Sequence, residues 1–270
     1  MQTQDKQTIE LKTLTAIRYI TPLREGGSLP AIVEADDGQM YVMKFIGAGQ
    51  GPKALVAELL AGEIGRSLGL HVPELVLLEL DPRLGQSEPN AEIQDLLRAS
   101  AGRLNLGLRY LPQALEFSAL LKPPLDPSLA SAIVWFDAYI TNVDRTARNV
   151  NMLLWQNDLW LIDHGAALYF HHNWGDYLAR SRTPFSQIKQ HVLISFASAL
   201  RQADAAMRPR LTSAMIEHIV SLIPAPWLNH EDNFSGPAQI RAAYVAYLVN
   251  RLEASTIFVE EAVHAHSQSL

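Results

Sequence analysis

Apolar and polar positions change rhythm along this chain. Up to about residue 111 the apolar positions fall in short runs, and beyond about residue 185 they recur only at helical spacing. Ile9 to Ile20 alternates loosely. Leu29 to Ala35 and Met40 to Ile46 are apolar runs on either side of Asp36-Asp37-Gly38. An Asp-Gly step between two such runs predicts a β-hairpin. The Gly-rich stretch GAGQGP follows, with Pro52 placed to open a helix that reaches about Leu68 and stops at Gly69. Val72 to Leu80 reads as a strand. Ala91 to Ala101 reads as a short helix that Asn90 can cap, and Arg103 to Leu111 as a strand ended by Pro112.

Pro123, Pro124 and Pro127 then mark a connection, and Ser128 to Thr141 has a helical pattern. Met152–Trp155 and Leu159–Ile162 flank Gln156-Asn157-Asp158 and predict a second small hairpin. Three helices are expected after that, over about 187–203, 207–222 and 237–263, separated by IPAPW and by Gly236-Pro237. The pattern predicts an α+β fold of two lobes. Residues 1–112 make a β-rich N-terminal lobe and residues 113–270 a mainly α-helical C-terminal lobe. A cleft between two lobes is where ligand sites form.

Composition narrows the function classes. With 48% hydrophobic residues, the 270-residue chain can build sizeable cores. The net charge of −6 and the lack of a basic block give no sign of a nucleic-acid partner. The absence of cysteine excludes disulfides, thiol catalysis and Cys-ligated zinc. The N-terminal MQTQDKQTIELKT lacks the apolar core of a signal peptide, and no run is long enough to span a membrane. The expectation is a soluble, cytoplasmic protein.

Few polar groups stand where chemistry would need them. Lys44 sits inside YVMKFI, where alternation puts Val42, Lys44 and Ile46 on one face and Tyr41, Met43 and Phe45 on the other. Such a lysine either snorkels from an edge strand or meets a partner. The following helix offers Glu58 and Glu63. Glu58 lies on its small-residue face with Ala54, Ala61, Gly62 and Gly65, and Glu63 lies nearer its bulky stripe. Periodicity does not choose between them, and both also read as solvated carboxylates. Asp144 is followed by Asn149, a spacing that chance often supplies. The order that follows is more specific: strand, turn, strand, then Ile162-Asp163-His164-Gly165, which aims Asp163 into a cleft. Asn149 and Asp163 are hard oxygen donors suited to Mg²⁺, and Asp144 remains as a carboxylate for an attacking hydroxyl. Together with a Lys–Glu pair these are the parts of phosphoryl transfer. His164, His171 and His172 lie near Asp163 and Asp176 and offer the alternative of a His/Asp metal centre. Adjacent residues point apart, so these histidines read instead as polar cleft or surface residues.

In motif order, YVMKF, the Gly-rich step, AELLAGEIGRSLGLHVPE, NVDRTARNVNMLLW and LWLIDHG resemble the HipA-like kinase family over about residues 28–170. The resemblance implies the protein-kinase and phosphoinositide-kinase-like fold and an ATP- and Mg²⁺-dependent phosphotransferase. It matches Lys44 to the lysine that contacts the ATP phosphates. It matches Glu58 to that lysine's partner, by its spacing to Gly69-Leu70. Asp144 takes the place of the catalytic-loop Asp, Asn149 and Asp163 those of the metal ligands. Tyr110 and Leu111, within Arg109–Pro112, fall where the hinge contacts adenine. Gly26-Gly27-Ser28 falls where a turn would cover the phosphates. The sequence departs from typical protein kinases in lacking GxGxxG, in Val143 before Asp144, in His164 after Asp163, and in having no APE element or recognisable activation loop. The implied acceptor is a protein Ser/Thr hydroxyl. The competing readings are a small-molecule or lipid acceptor, transfer of AMP, and a nucleotide-binding regulatory pseudokinase.

Overall fold

The computed structural model describes residues 9–23, 29–49, 51–84, 90–118, 125–229 and 233–269. The Gly26-Gly27-Ser28 turn lies outside the described residues. Five strands close into a barrel in the order β1 (Thr13–Pro22), β2 (Ala31–Ala35), β3 (Met40–Lys44), β5 (Leu104–Arg109) and β4 (Leu75–Leu80). All neighbours are antiparallel except β1 and β4. The predicted alternation in β3 holds. Tyr41, Met43 and Phe45 are buried with Ala16, Val33, Val76 and Leu78, and Ile46 belongs to the other, larger core. Lys44 therefore faces that larger core's side of the sheet.

Helix α1 (Gly51–Ser67) crosses this face, and every residue from Leu55 to Gly65 is buried. It has no solvent stripe because both lobes cover it, which is what an apolar helix without a polar face does. Its small residues set the approach: a Cβ at Gly62 would lie 2.6 Å from Leu75 Cδ1, and one at Gly65 3.0 Å from Val72 and 3.2 Å from Phe136. Gly65→Val is therefore expected to lower stability by about 1–3 kcal/mol, the usual cost of overpacking. Because Glu58 rides on the same helix, activity should fall with it. A melting curve like that of the wild type would contradict this account.

Helix α2 (Ala91–Ser100) is capped by Asn90, whose side chain accepts from the amides of Glu92 and Ile93. Buried Asn105 on β5 accepts from Ile46 N–H at 2.9 Å and donates to the carbonyls of Leu78, Ser100 and Arg103. It staples the chain just past Lys44 to β4 and to the end of α2.

The C-terminal lobe is built on α3 (Pro127–Tyr139), buried from Ala130 to Tyr139. Trp135, Phe136 and Tyr139 are fully buried core residues. Strands β6 (Leu115–Glu116), β7 (Met152–Trp155) and β8 (Asp158–Leu161) form a small sheet beside it. The β7–β8 turn has positive φ at both Gln156 and Asn157, the geometry whose twist matches that of a hairpin. After short α4 (Tyr177–Ser181) come α5 (Leu200–Met207), α6 (Ser213–Ser221), α7 (Pro237–Glu253) and α8 (Ser255–Gln268).

Three expectations need correction here, the first being a helix over 207–222: Met207 ends α5, a 3₁₀ turn at Arg208–Arg210 follows, and α6 starts only at Ser213. The stretch 187–203 is not one helix: 3₁₀ turns at Ser186–Gln190 and Ile194–Phe196 precede α5. Its backbone closes tight turns, as in His191 N–H to Ile188 O and Ile194 N–H to His191 O, and leaves them at Val192, whose N–H donates to Arg145 O in the loop before β7. The long final helix is two, broken at Ala254. Arg251 near the break is buried, donating to the carbonyls of Ala138, Tyr139, Ser181 and Thr183. The last helix runs through Gln268, and His266 reaches Ile194 O at 2.8 Å. Among the described residues no helix is long and apolar enough to cross a membrane.

Candidate active site

The β3 register brings Lys44 under α1, and α1's close approach carries Glu58 to it. Lys44 Nζ donates to Glu58 Oε2 and, at 2.6 Å, to Asp163 Oδ1. Three elements distant in sequence meet at one ammonium. Glu58 is fully buried, and Lys44's side chain is 12% exposed. The structure also decides the choice of glutamate. Glu63 is buried elsewhere and lies 3.5 Å from Arg66, and burial raises its carboxyl above the usual range.

Burial alone would raise the Glu58 carboxyl, but Lys44 and His164 outweigh it and hold it far below its ordinary value. Burial would likewise lower Lys44, and Glu58 and Asp163 together raise it instead. The pair is thus fully ionised near neutral pH.

His164 is a residue that the sequence reading placed wrongly. It is not a cleft or surface residue: it is fully buried, its N–H donates to Glu58 Oε2 at 2.8 Å, and Nδ1 donates to Oε1 at 3.2 Å. Glu58 is thereby saturated by Lys44 on one side and by the residue after Asp163 on the other. His171 is also buried, with Nδ1 at 2.9 Å from the Tyr244 hydroxyl, and burial pushes it well below its usual value. Among the described residues no group of three or more His, Asp or Glu side chains could hold a metal, so a histidine metal centre has no support.

Asp144 follows α3 on an irregular loop. Asn149 Nδ2 donates to its Oδ2 at 2.7 Å and Asn151 Nδ2 at 3.4 Å. Both asparagines therefore reach it, although five-residue spacing favours Asn149 alone. Burial and the nearby Asp163 charge raise Asp144 above its ordinary value of 3.8, against the pull of Asn149, Asn151 and Arg145. Asp163 adopts φ of 54°, a left-handed conformation that Asp tolerates better than most residues. Its side chain is 48% exposed and opens to the cleft.

The oxygen donors fit a hard divalent cation. Lys44 takes one oxygen of Asp163, leaving Oδ2, and the amide nitrogen of Asn149 faces Asp144, leaving Oδ1. Two such atoms do not make a closed cage, which is how Mg²⁺ is held when phosphate and water oxygens complete its shell.

The hinge residues are placed less simply. Tyr110 N–H donates to Met40 O at 2.9 Å, so it is not free for a nucleotide. Pro112 O is held by Trp155 Nε1 at 3.0 Å, which fixes the strand end from the second lobe. Leu111 is buried between them. Sequence reading missed Asp137, Arg145 and His191, a buried cluster directly behind Asp144. One signal for it was present: Asp137 is an acid in the otherwise apolar run AIVWFDAYI.

Comparison with known proteins fits this arrangement. The HipA-like kinase model matches residues 16–260, and the chain belongs to that family. A family of kinases defines a phosphotransferase class, and the described fold is a kinase fold. Among solved structures, the chain is similar to the proinflammatory kinase CtkA of Helicobacter pylori, with TM-score 0.54 and 14% identity, covering 93% of this chain and 95% of that one. It is also similar to a Golgi casein kinase with Mn and ADP bound, with TM-score 0.49 and 11% identity, covering 93% of this chain and 73% of that one. No curated relative matches the chain.

Proposed function

We propose that this protein is an ATP- and Mg²⁺-dependent kinase that phosphorylates a Ser/Thr hydroxyl of a protein. The observation that carries the reading is Lys44, held at once by Glu58 of α1 and by Asp163. A buried lysine fixed in this way presents a rigid cation to phosphate oxygens, and it touches the residue assigned to the metal. The lobe before Pro112 would bind nucleotide, with the backbone of Leu111 and the carbonyl side of Tyr110 against adenine. The lobe from 113 onward would bring Asp144, Asn149 and Asp163. The border at 112 is supported by β6, which pairs with β7.

In this reading Lys44 binds phosphate oxygens, and Glu58 keeps its ammonium in place. Asn149 and Asp163 would hold Mg²⁺, which would supply positive charge against the phosphates. Asp144 orients the acceptor hydroxyl and receives its proton as the new O–P bond forms. The bond between the β–γ bridging oxygen and the γ-phosphorus breaks, and ADP leaves.

The test is transfer of label from γ-labelled ATP to host proteins, with and without Mg²⁺, followed by intact-mass analysis of a labelled target. Addition of a phosphate supports the proposal. Addition of AMP, label on lipids or metabolites alone, or nucleotide binding without transfer would each replace it by a named alternative. The pH profile adds a second check. Asp144 acts as the carboxylate, and its affinity for protons is raised, so kcat/KM should fall on the acid side through an apparent pKa above 3.8. An acid limb at or below that value would contradict the assignment.

A further inference from the structure

Behind Asp144 lies a buried charge cluster that none of the roles above uses. Asp137, near the end of α3, is fully buried, and Arg145 and His191 are 1% and 5% exposed. Arg145 Nε donates to Asp137 Oδ2 at 2.6 Å, and His191 Nε2 lies 2.8 Å from the same oxygen. Asn142 Nδ2 donates to Asp137 Oδ1 at 2.9 Å. The tautomer of His191 follows from its other nitrogen. Nδ1 accepts from Leu193 N–H at 3.0 Å, so Nε2 carries the proton that His191 donates to Asp137. Burial would raise Asp137, yet Arg145 and His191 hold it well below the usual carboxylate range.

From this hub three connections run to the reacting groups. Asn142 Oδ1 accepts from the Asp144 amide at 3.1 Å. Arg145 Nη1 donates to Asn151 O, and at 3.4 Å to the carbonyl of Ile162, the residue before Asp163. A backbone bridge pairs Thr146 with His191, and Val192 N–H donates to Arg145 O. His191 is the one member that comes from the segment after Gly165, the stretch in which the sequence has no APE element.

We infer that His191 is a positioning residue that locks the 185–193 segment onto the catalytic loop and, through Asp137 and Arg145, fixes both Asp144 and Asp163. The inference rests on the kinase reading for its catalytic consequence, but not for the lock itself. Arg145 can reach both carbonyls only while Asp137 holds its Nε side. Asp137 has one oxygen shared between Arg145 and His191. Without His191 that oxygen loses its second donor, and the segment loses its side-chain tie to the end of α3, from which Asp137 holds Arg145 and Asn142 of the loop.

His191→Leu keeps the size and removes both hydrogen bonds, and His191→Gln restores a nitrogen donor near the position of Nε2. Hydrogen exchange of residues 142–151 reads the lock without turnover. We expect His191→Leu to speed exchange there and leave residues 31–44 of the barrel unchanged. Transfer should lose about tenfold or more in kcat, because a misplacement of 1 Å costs on the order of a hundredfold. The KM for ATP should change less than kcat, since Lys44 and Glu58 lie outside the cluster and Lys44 still holds Asp163 Oδ1. His191→Gln should recover most of both losses. Unchanged loop exchange in His191→Leu overturns the lock. Faster exchange throughout the protein, or faster loop exchange with kcat intact, overturns the positioning role. A wild type that transfers nothing overturns the kinase reading and the catalytic consequence, and loop exchange still decides the lock.

Discussion

Asp144→Asn should lower phosphotransfer by about 10²–10⁴-fold, the range that general-base groups contribute. The substitution keeps the shape and removes the carboxylate proposed to accept the hydroxyl proton. Asn149 and Asn151 donate to Asp144 Oδ2, and an amide oxygen at that place can still receive them. The loop should therefore keep its conformation. Lys44 does not touch Asp144, so nucleotide binding, read as a thermal shift with Mg-ATP, should survive. Asp163→Ala is expected to behave differently. It removes the proposed cation ligand and one of Lys44's two carboxylates, so transfer and the Mg²⁺-dependent part of nucleotide binding should be lost together. If Asp144→Asn retains more than about a tenth of the activity, the acceptor role fails. If Asp163→Ala binds Mg-ATP and transfers as the wild type does, the metal assignment fails.

Particular residues show how far the sequence reaches. Lys44 was legible because strand alternation puts it on a defined face, and that face is where the structure has it. Glu58 was not separable from Glu63 by pattern. A helix buried from Leu55 to Gly65 has no solvent stripe, so its period cannot say which carboxylate faces the sheet. The two small hairpins were legible because their turns need residues that accept positive φ or, as at Gly38, have no Cβ. The stretch 187–203 was misread because its apolar spacing suits a helix, whereas its backbone closes two separate 3₁₀ turns with a bond from Val192 N–H to Arg145 O between them. The break at Ala254 leaves the apolar positions on either side in helical phase, so no periodicity could reveal it. His164 was misread for another reason. Its partner, Glu58, is 106 residues away, and nothing local distinguishes a buried histidine from an exposed one.

Removing one member of the Lys44–Glu58 pair should cost about 3–5 kcal/mol of stability, because it strands a buried charge. In Glu58→Ala, Lys44 keeps only Asp163, and the amide and ring of His164 lose their acceptor. In Lys44→Met, Glu58 keeps His164 but faces a methyl-thioether. The pH window separates this account from simple packing loss. The Glu58 carboxyl is depressed in the fold, so its contribution is present above its ordinary 4.5 and is lost as pH falls through the lower folded value. Lys44 is raised, so its contribution is complete below its ordinary 10.5 and is lost only as pH rises through the higher folded value. The gap in unfolding free energy between wild type and Lys44→Met should therefore be widest between 4.5 and 10.5. Below that window it should narrow, as protonation uncharges the Glu58 that Lys44→Met deprives of its ammonium partner. Denaturant unfolding of both proteins at neutral and acid pH measures the gap directly. A gap that does not change with pH would mean that Lys44 is held by packing and not by its two carboxylates. The phosphate-binding cation would then lack the rigid support on which its role depends.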